Sequence, residues 1–555
     1  MMKKRVFSTL LCCVLACSSV VGMASCGGDK GKGDITKTIN VQLYDAGYGH
    51  QWFEAVAKKF EQIYSNEGYK VVLKKHNTQI NSGNVLPELA YGKDNIIDLY
   101  YANGINAGTI AKYCIQNNNG TNVAMDLSDV LSASAINEDG QEESGAIKDK
   151  LVPGFLDTLT TDYTYAISQN DKYAAFDKKV YMLPMFSSPN GFVVNKPLLE
   201  KAGLEVPKTT DELLNCVTVI NQKRESGADG FANVYPLAWG GGNAWNYWRY
   251  VYDVWYAQYN GIEAYNTFVT LDGYENNFSE AWKLYENESW LDIYELMEVM
   301  LNTDNAPTDT LNVNADEAQC NLLIDNAVFM STGVNLQNEM GAEFFEDMEK
   351  VEMIATPIIS ELGIKLALDG KGGADEALCD KVLSAIVKGI EDGKDNAAIK
   401  TAVTLATVSD EQINAVRNAY NVYSDQGLGA GFVVSATTEK ADICKLFLRF
   451  LASDYVTSFL STNTYAISAY SKNYVYDVDK EVDPFYASAL KFREGKTMVY
   501  RMENMINVRT LNDFTLFDPF DWEKDFAIKM AASSMNAEKF YNNQLAAAKK
   551  ACGAN

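Results

Sequence analysis

One short unit near the N-terminus restricts the possible folds of this chain more than any other stretch. Ile39–Tyr44 (INVQLY) reads as a strand, Asp45–His50 as a glycine-rich turn, and Tyr69–Lys74 as a second strand. Between them Trp52, Val56, Phe60 and Ile63 recur at helical spacing. Strand, helix and strand in direct succession require a parallel pair with a right-handed crossover, and so an α/β domain. Ile96–Tyr101, Val180–Leu183, Gly191–Asn195, Ala327–Ser331, Val351–Ile354 and Gly431–Ser435 also fit short strands, and helical patterns follow most of them. Thr209 with Glu212 three residues on forms a helix-capping pattern before Leu213, Leu214, Val217 and Ile220. Ala441, Cys444, Leu448 and Leu451 make another helical stripe. Residues 360–425 stand apart: two glycine-rich acidic turns separate alanine-rich helical patterns, which predicts a mostly helical insert. A chain of 555 residues has the length for two or more such domains.

The first residues read differently. Met1-Met2-Lys3-Lys4-Arg5 is a basic start, an apolar run extends to about Val21, and Met23-Ala24-Ser25-Cys26 closes it. That is the pattern of a secretory signal peptide over residues 1–25. The last four residues resemble a bacterial lipobox, which makes Cys26 the expected lipid anchor. Residues 26–38, rich in Gly, Lys and Asp, read as a flexible tether. The expected location is the cell surface, held by lipid on the outer face of the cytoplasmic membrane.

With 73 acidic against 48 basic residues, the net charge of −25 repels phosphates and argues against a nucleic-acid partner. No HExxH, GxSxG or GxxxxGK[ST] occurs, and His50 and His76 are the only histidines. Beyond Cys26, Cys114, Cys216, Cys320, Cys379, Cys444 and Cys552 are far apart with no CxxC, unlike a zinc ribbon or a disulfide scaffold. No cofactor, metal site or catalytic residue is expected. No motif here supports an enzyme, although composition leaves room for a surface glycan-processing one.

Residues 180–223 carry the most specific signal. Leu183-Pro184, Val194-Asn195-Lys196, Glu200-Lys201-Ala202-Gly203-Leu204 and Pro207-Lys208-Thr209-Thr210-Asp211-Glu212-Leu213 occur in that order. This succession resembles the hallmark of extracellular solute-binding proteins, family 1, the carbohydrate-binding subunits of ABC importers. Asn326–Gly333 (NAVFMSTG) and Gly431–Ser453 resemble two further family segments, with Asn335 where the family commonly carries a sugar-stacking Trp. The resemblance implies a periplasmic-binding-protein-like (type II) fold: two α/β lobes joined by crossings near Pro184–Asn190 and near Ala430, with the ligand cleft between them. The expected division is 39–185 with 430–475 for the first lobe and 186–359 with 476–555 for the second. It also implies a monomer that captures a sugar or oligosaccharide and passes it to permease subunits on separate chains. A peptide, polyamine or other osmolyte on the same scaffold is the alternative.

Candidate ligand residues follow from position and chemistry. Tyr235–Tyr259 is dense in aromatic residues, which suit the flat C–H faces of sugars. Trp248, Tyr252, Trp255, Tyr256 and Tyr259 share one helical face with Trp245 and read as a core stripe. Trp239, Asn243 and Trp245 are the cleft candidates, with Gly240–Gly242 bringing backbone close to a ligand; core or loop packing is the competing reading. Asp45 and Tyr48 lie in the turn after the first strand, where a parallel sheet opens its crevice. Trp52 is assigned to the core. Tyr101 and Asn103 at a later strand end, Ser187, Ser188 and Asn190 beside the first crossing, and Asn335 complete the set.

Overall fold

Alternation of apolar and polar residues builds two main sheets, and the chain passes between them three times. The computed structural model describes residues 35–44, 48–76, 78–242, 245–341, 344, 346–470, 484–500, 507–512, 514, 526–531 and 534–554. The signal segment, Cys26, most of the tether, Asp45 and Asn243 lie outside the described residues. Thirteen strands are defined among the described residues: β1 (Thr38–Tyr44), β2 (Lys70–His76), β3 (Leu99–Asn103), β4 (Leu183–Pro184), β5 (Phe186–Ser187), β6 (Pro189–Asn195), β7 (Tyr235–Ala238), β8 (Ala327–Gly333), β9 (Val351–Ile354), β10 (Val422–Asp425), β11 (Ala430–Val434), β12 (Ile467–Ser468) and β13 (Thr497–Val499).

The first sheet has the order β2-β1-β3-β11-β4, with β1 parallel to β2 and β3, and β11 antiparallel to β3 and β4. The expected βαβ unit is its core: helix Gln51–Ile63 buries Trp52, Phe53, Val56 and Phe60. β2 is the edge, and its Lys70, Lys74 and Lys75 keep that edge charged and unattractive to further pairing. Thr38 already pairs with Lys70, so the sheet claims the last residue assigned to the tether.

The second sheet runs β13-β10-β6-β8-β7, with β9 also on β6. β6 (PNGFVVN) is buried at all seven positions, as a central strand covered on both faces must be. Phe192 and Val194 face one apolar cluster and Val193 the other. Helix Thr210–Glu225 begins as predicted: Thr209 Oγ1 accepts from Glu212 N at 3.3 Å, while Glu212 Oε2 accepts from Lys208 N at 2.7 Å.

Helices Glu361–Lys365, Glu376–Glu391, Asn396–Ala402 and Asp410–Tyr420 fill the 360–425 stretch. Its end departs from the helical expectation. Val422–Asp425 is a buried strand paired with both β6 and β13. A β-branched residue and an aromatic, Val422 and Tyr423, suit that pleated setting better than a helix end.

Candidate functional site

The two sheets are joined where β4 leads through β5 into β6, and again where β10 leads into β11. These crossings are bonded to each other. The buried Asp425 carboxylate, at the end of β10, accepts from Ser187 Oγ at 2.5 Å, Ser188 N at 2.8 Å and Gly427 N at 2.7 Å. Burial pushes this carboxyl above the ordinary range, and those three donors pull it back. Gly427 is required by close approach: a Cβ there would stand 2.7 Å from Ser187 Cα and 2.8 Å from Ser188 N. β5 also pairs with β12, so a third segment braces the first crossing.

Above this hinge the lobes meet. Tyr48, in the turn after β1, donates its hydroxyl to Asn335 Oδ1 at 3.0 Å, across 287 residues of chain. Its ring stacks on Phe186 of β5, centroids 4.4 Å apart and planes at 23°. Phe186 in turn meets Trp52 and Tyr101 edge-on. A first-lobe turn, a hinge strand and the segment after β8 therefore converge on one place. Tyr48 and Asn335 are two of the residues singled out in the sequence, and the structure brings them into contact.

Side chains from the second lobe extend this wall. Glu339, one turn beyond Asn335 in helix Leu336–Met340, accepts from Gln319 Nε2 at 2.5 Å. Its side chain reaches solvent, yet desolvation is the main cause raising its carboxyl above the usual carboxylate range, with Asp316 adding to the effect. Glu339 is felt on both sides of the contact between the lobes. After desolvation it is the largest cause raising the hydroxyls of Tyr48 in the first lobe and Tyr247 in the second. Gln337, only 6 % exposed, has both ends of its amide unpaired, and Gln319 Oε1 is unpaired as well. Buried amides without partners are uncommon.

The remaining candidates have other roles. Trp239 is 3 % exposed in the apolar core of the second lobe, and its carbonyl takes the Thr310 hydroxyl. This corrects its assignment to the cleft. Gly240–Gly242 are close to backbone, but to this chain's own: added Cβ atoms would fall 2.6–2.8 Å from the carbonyl oxygens of Leu311, Val313 and Asn314. Gly241 N and Gly242 N donate to Thr310 O and Val313 O. Trp245 opens the turn Trp245–Trp248, and its side chain is outside the described residues. Trp248, Tyr252, Trp255 and Tyr256 are buried in the second-lobe core.

Tyr101 is 2 % exposed and packs on Tyr44, Phe186 and Phe432, beneath the recess rather than in it. Asn103 turns its oxygen to Gly104 N. Ser188 and Asn190 are buried in the hinge, where Ser188 N serves Asp425 and the Asn190 amide donates to Ser188 O. Tyr101, Ser188 and Asn190 are thus buried, while Asn103 is half-buried at the end of β3.

Sequence reasoning misses Phe186, Tyr247, Gln319, Gln337 and Glu339. Phe186 has a usable signal, an aromatic inside the predicted crossing. Glu339 has none, being one of 73 acidic residues.

Residues 46–319 match the family model for bacterial extracellular solute-binding proteins. Among solved structures, one from Caldanaerobius polysaccharolyticus, from work on xylan utilisation, aligns with a TM-score of 0.54 at 15 % identity, covering 92 % of this chain and 99 % of its own. A chitin oligosaccharide binding protein aligns at 0.52 and 14 % identity, covering 93 % and 99 %. The GacH receptor of Streptomyces glaucescens, described unliganded and with acarbose, aligns at 0.53 and 14 % identity, covering 93 % and 98 %. At such identities the likeness establishes the two-lobed fold. No curated protein matches the chain.

Proposed function

As residues 46–319 are those of a bacterial extracellular solute-binding protein, we propose that the chain captures a sugar or oligosaccharide between its lobes and delivers it intact to separate ABC permease subunits. The observation that carries this reading is the interlobe contact of Tyr48 with Asn335, set on the Phe186 ring and flanked by unpaired amides. An aromatic platform with amides and a carboxylate around it is the chemistry that covers a sugar's C–H face and binds its hydroxyls. A ligand that touches both walls favours the closed arrangement, because only there are all its contacts made. The xylan, chitin and acarbose connections of the structural relatives point to the same ligand class.

In this reading the protein acts as a monomer and performs no catalysis. Cys26 holds it at the cell surface by lipid, and residues 39–185 with 430–475 form one lobe against 186–359 with 476–555. No helix among the described residues is long and apolar enough to cross a membrane. The acidity of the recess favours a second reading, a cationic solute such as a polyamine.

A thermal-shift screen separates the two. A saccharide at 100 times its Kd is expected to raise stability by ~2.7 kcal/mol. A shift with spermidine or peptides and none with any saccharide would replace the sugar by a cationic or peptide ligand.

A further inference from the structure

We propose that the interlobe recess selects saccharides without an anionic group, and that Glu339 is the residue that enforces this selection. The inference rests on the sugar-binding reading and narrows its substrate class. Glu339 is one helical turn from Asn335, whose side chain receives the Tyr48 hydroxyl, so its carboxylate borders the place where the lobes touch. Gln319, itself fully buried, holds that carboxylate through its amide N–H. Among the described residues Glu339 forms no ion pair. The other charges felt at this wall are mainly negative: Asp316 acts on Glu339 and Tyr247, and Asp425 acts on Tyr48. Among the described residues two cations oppose them, Arg249 at Tyr247 and Arg493 at Asp425, and each is a smaller influence than desolvation.

An uncompensated carboxylate treats two ligand classes oppositely. A neutral sugar hydroxyl donates to it in a charge-assisted hydrogen bond, stronger than one to a neutral acceptor. A uronate carboxylate brought within about 5 Å is repelled, and at the effective dielectric of a partly desolvated site this is on the order of a hundredfold in affinity. The same wall that binds hydroxyls therefore rejects acidic sugars.

Titration calorimetry at pH 8, well above the ordinary carboxylate range, tests this with four probes: xylotriose, cellotriose, maltotriose and trigalacturonate. The wild type is expected to bind at least one neutral trisaccharide on the order of a hundredfold more tightly than trigalacturonate. Glu339→Gln keeps the shape and removes the charge. It should lower that preference at least tenfold, mainly by strengthening trigalacturonate, with the unliganded melting temperature not lowered. A merely structural role for Glu339 would lower the melting temperature and leave the ratio intact. Trigalacturonate binding the wild type as tightly as every neutral probe would overturn the inference while sparing the sugar reading, as would an E339Q ratio equal to that of the wild type. If no probe of either kind binds, the sugar reading itself fails and this selection fails with it.

Discussion

Single side chains in this protein acquire their properties mainly from burial. Glu361 shows this outside the cleft. Desolvation raises its carboxyl from 4.5 to about 7, with Asp292, Asp211 and Glu295 adding repulsion. Asp292 is raised to about 6 by the same causes, desolvation first. For an acid whose folded value lies above its unfolded one, the native state holds the proton longer, so stability is greatest at low pH. It declines as pH rises from the ordinary carboxylate range through about 7. Glu361→Gln should therefore raise the unfolding midpoint at pH 8, with the gain shrinking steadily toward pH 4.5. A gain of equal size at both pH values would show that charge is not the cause. Tyr48 is readable at this scale because its position at a strand end, between glycines, limits what it can do. Trp239 is not, because an aromatic before a glycine run looks the same whether it faces a ligand or a neighbouring loop, and only the carbonyls of residues 311–314 decide between them.

At the level of elements, the two crossings are the informative parts. Asp425 satisfies two hydroxyls, of Ser187 and Tyr423, and two backbone N–H groups, and so ties both crossings together. Asp425→Ala leaves four buried donors without this acceptor, and a loss of about 3 kcal/mol in denaturant unfolding is expected. An unchanged midpoint would mean that water or a local shift replaces the carboxylate. Gly427→Ala places a methyl against the Ser187 backbone and should cost about 1–3 kcal/mol through overpacking. It should also weaken ligand binding, since the crossings set how the lobes meet. The βαβ unit is legible from its periodicity alone, and so is β8, an apolar run that starts directly after the polar pair Asp325-Asn326, because both follow local rules. Two-residue strands such as β5 and β12 carry no periodic signal, and they exist only because distant segments pair there.

For the molecule as a whole, the two-lobed plan can be read from the order of its segments, and its hinge from the family hallmark ending at a proline. The candidate ligand wall cannot, because Glu339, Gln319 and Tyr247 lie far from Tyr48 in the sequence and only the tertiary fold sets them near it. The central claim, that a saccharide is captured between the lobes beside Tyr48 and Asn335, is tested most directly by calorimetric titration of the wild type, Tyr48→Ala and Asn335→Ala with the saccharide giving the largest thermal shift. Each variant is expected to bind at least tenfold more weakly while melting, unliganded, within a few degrees of the wild type. Undiminished affinity in both variants would contradict the account.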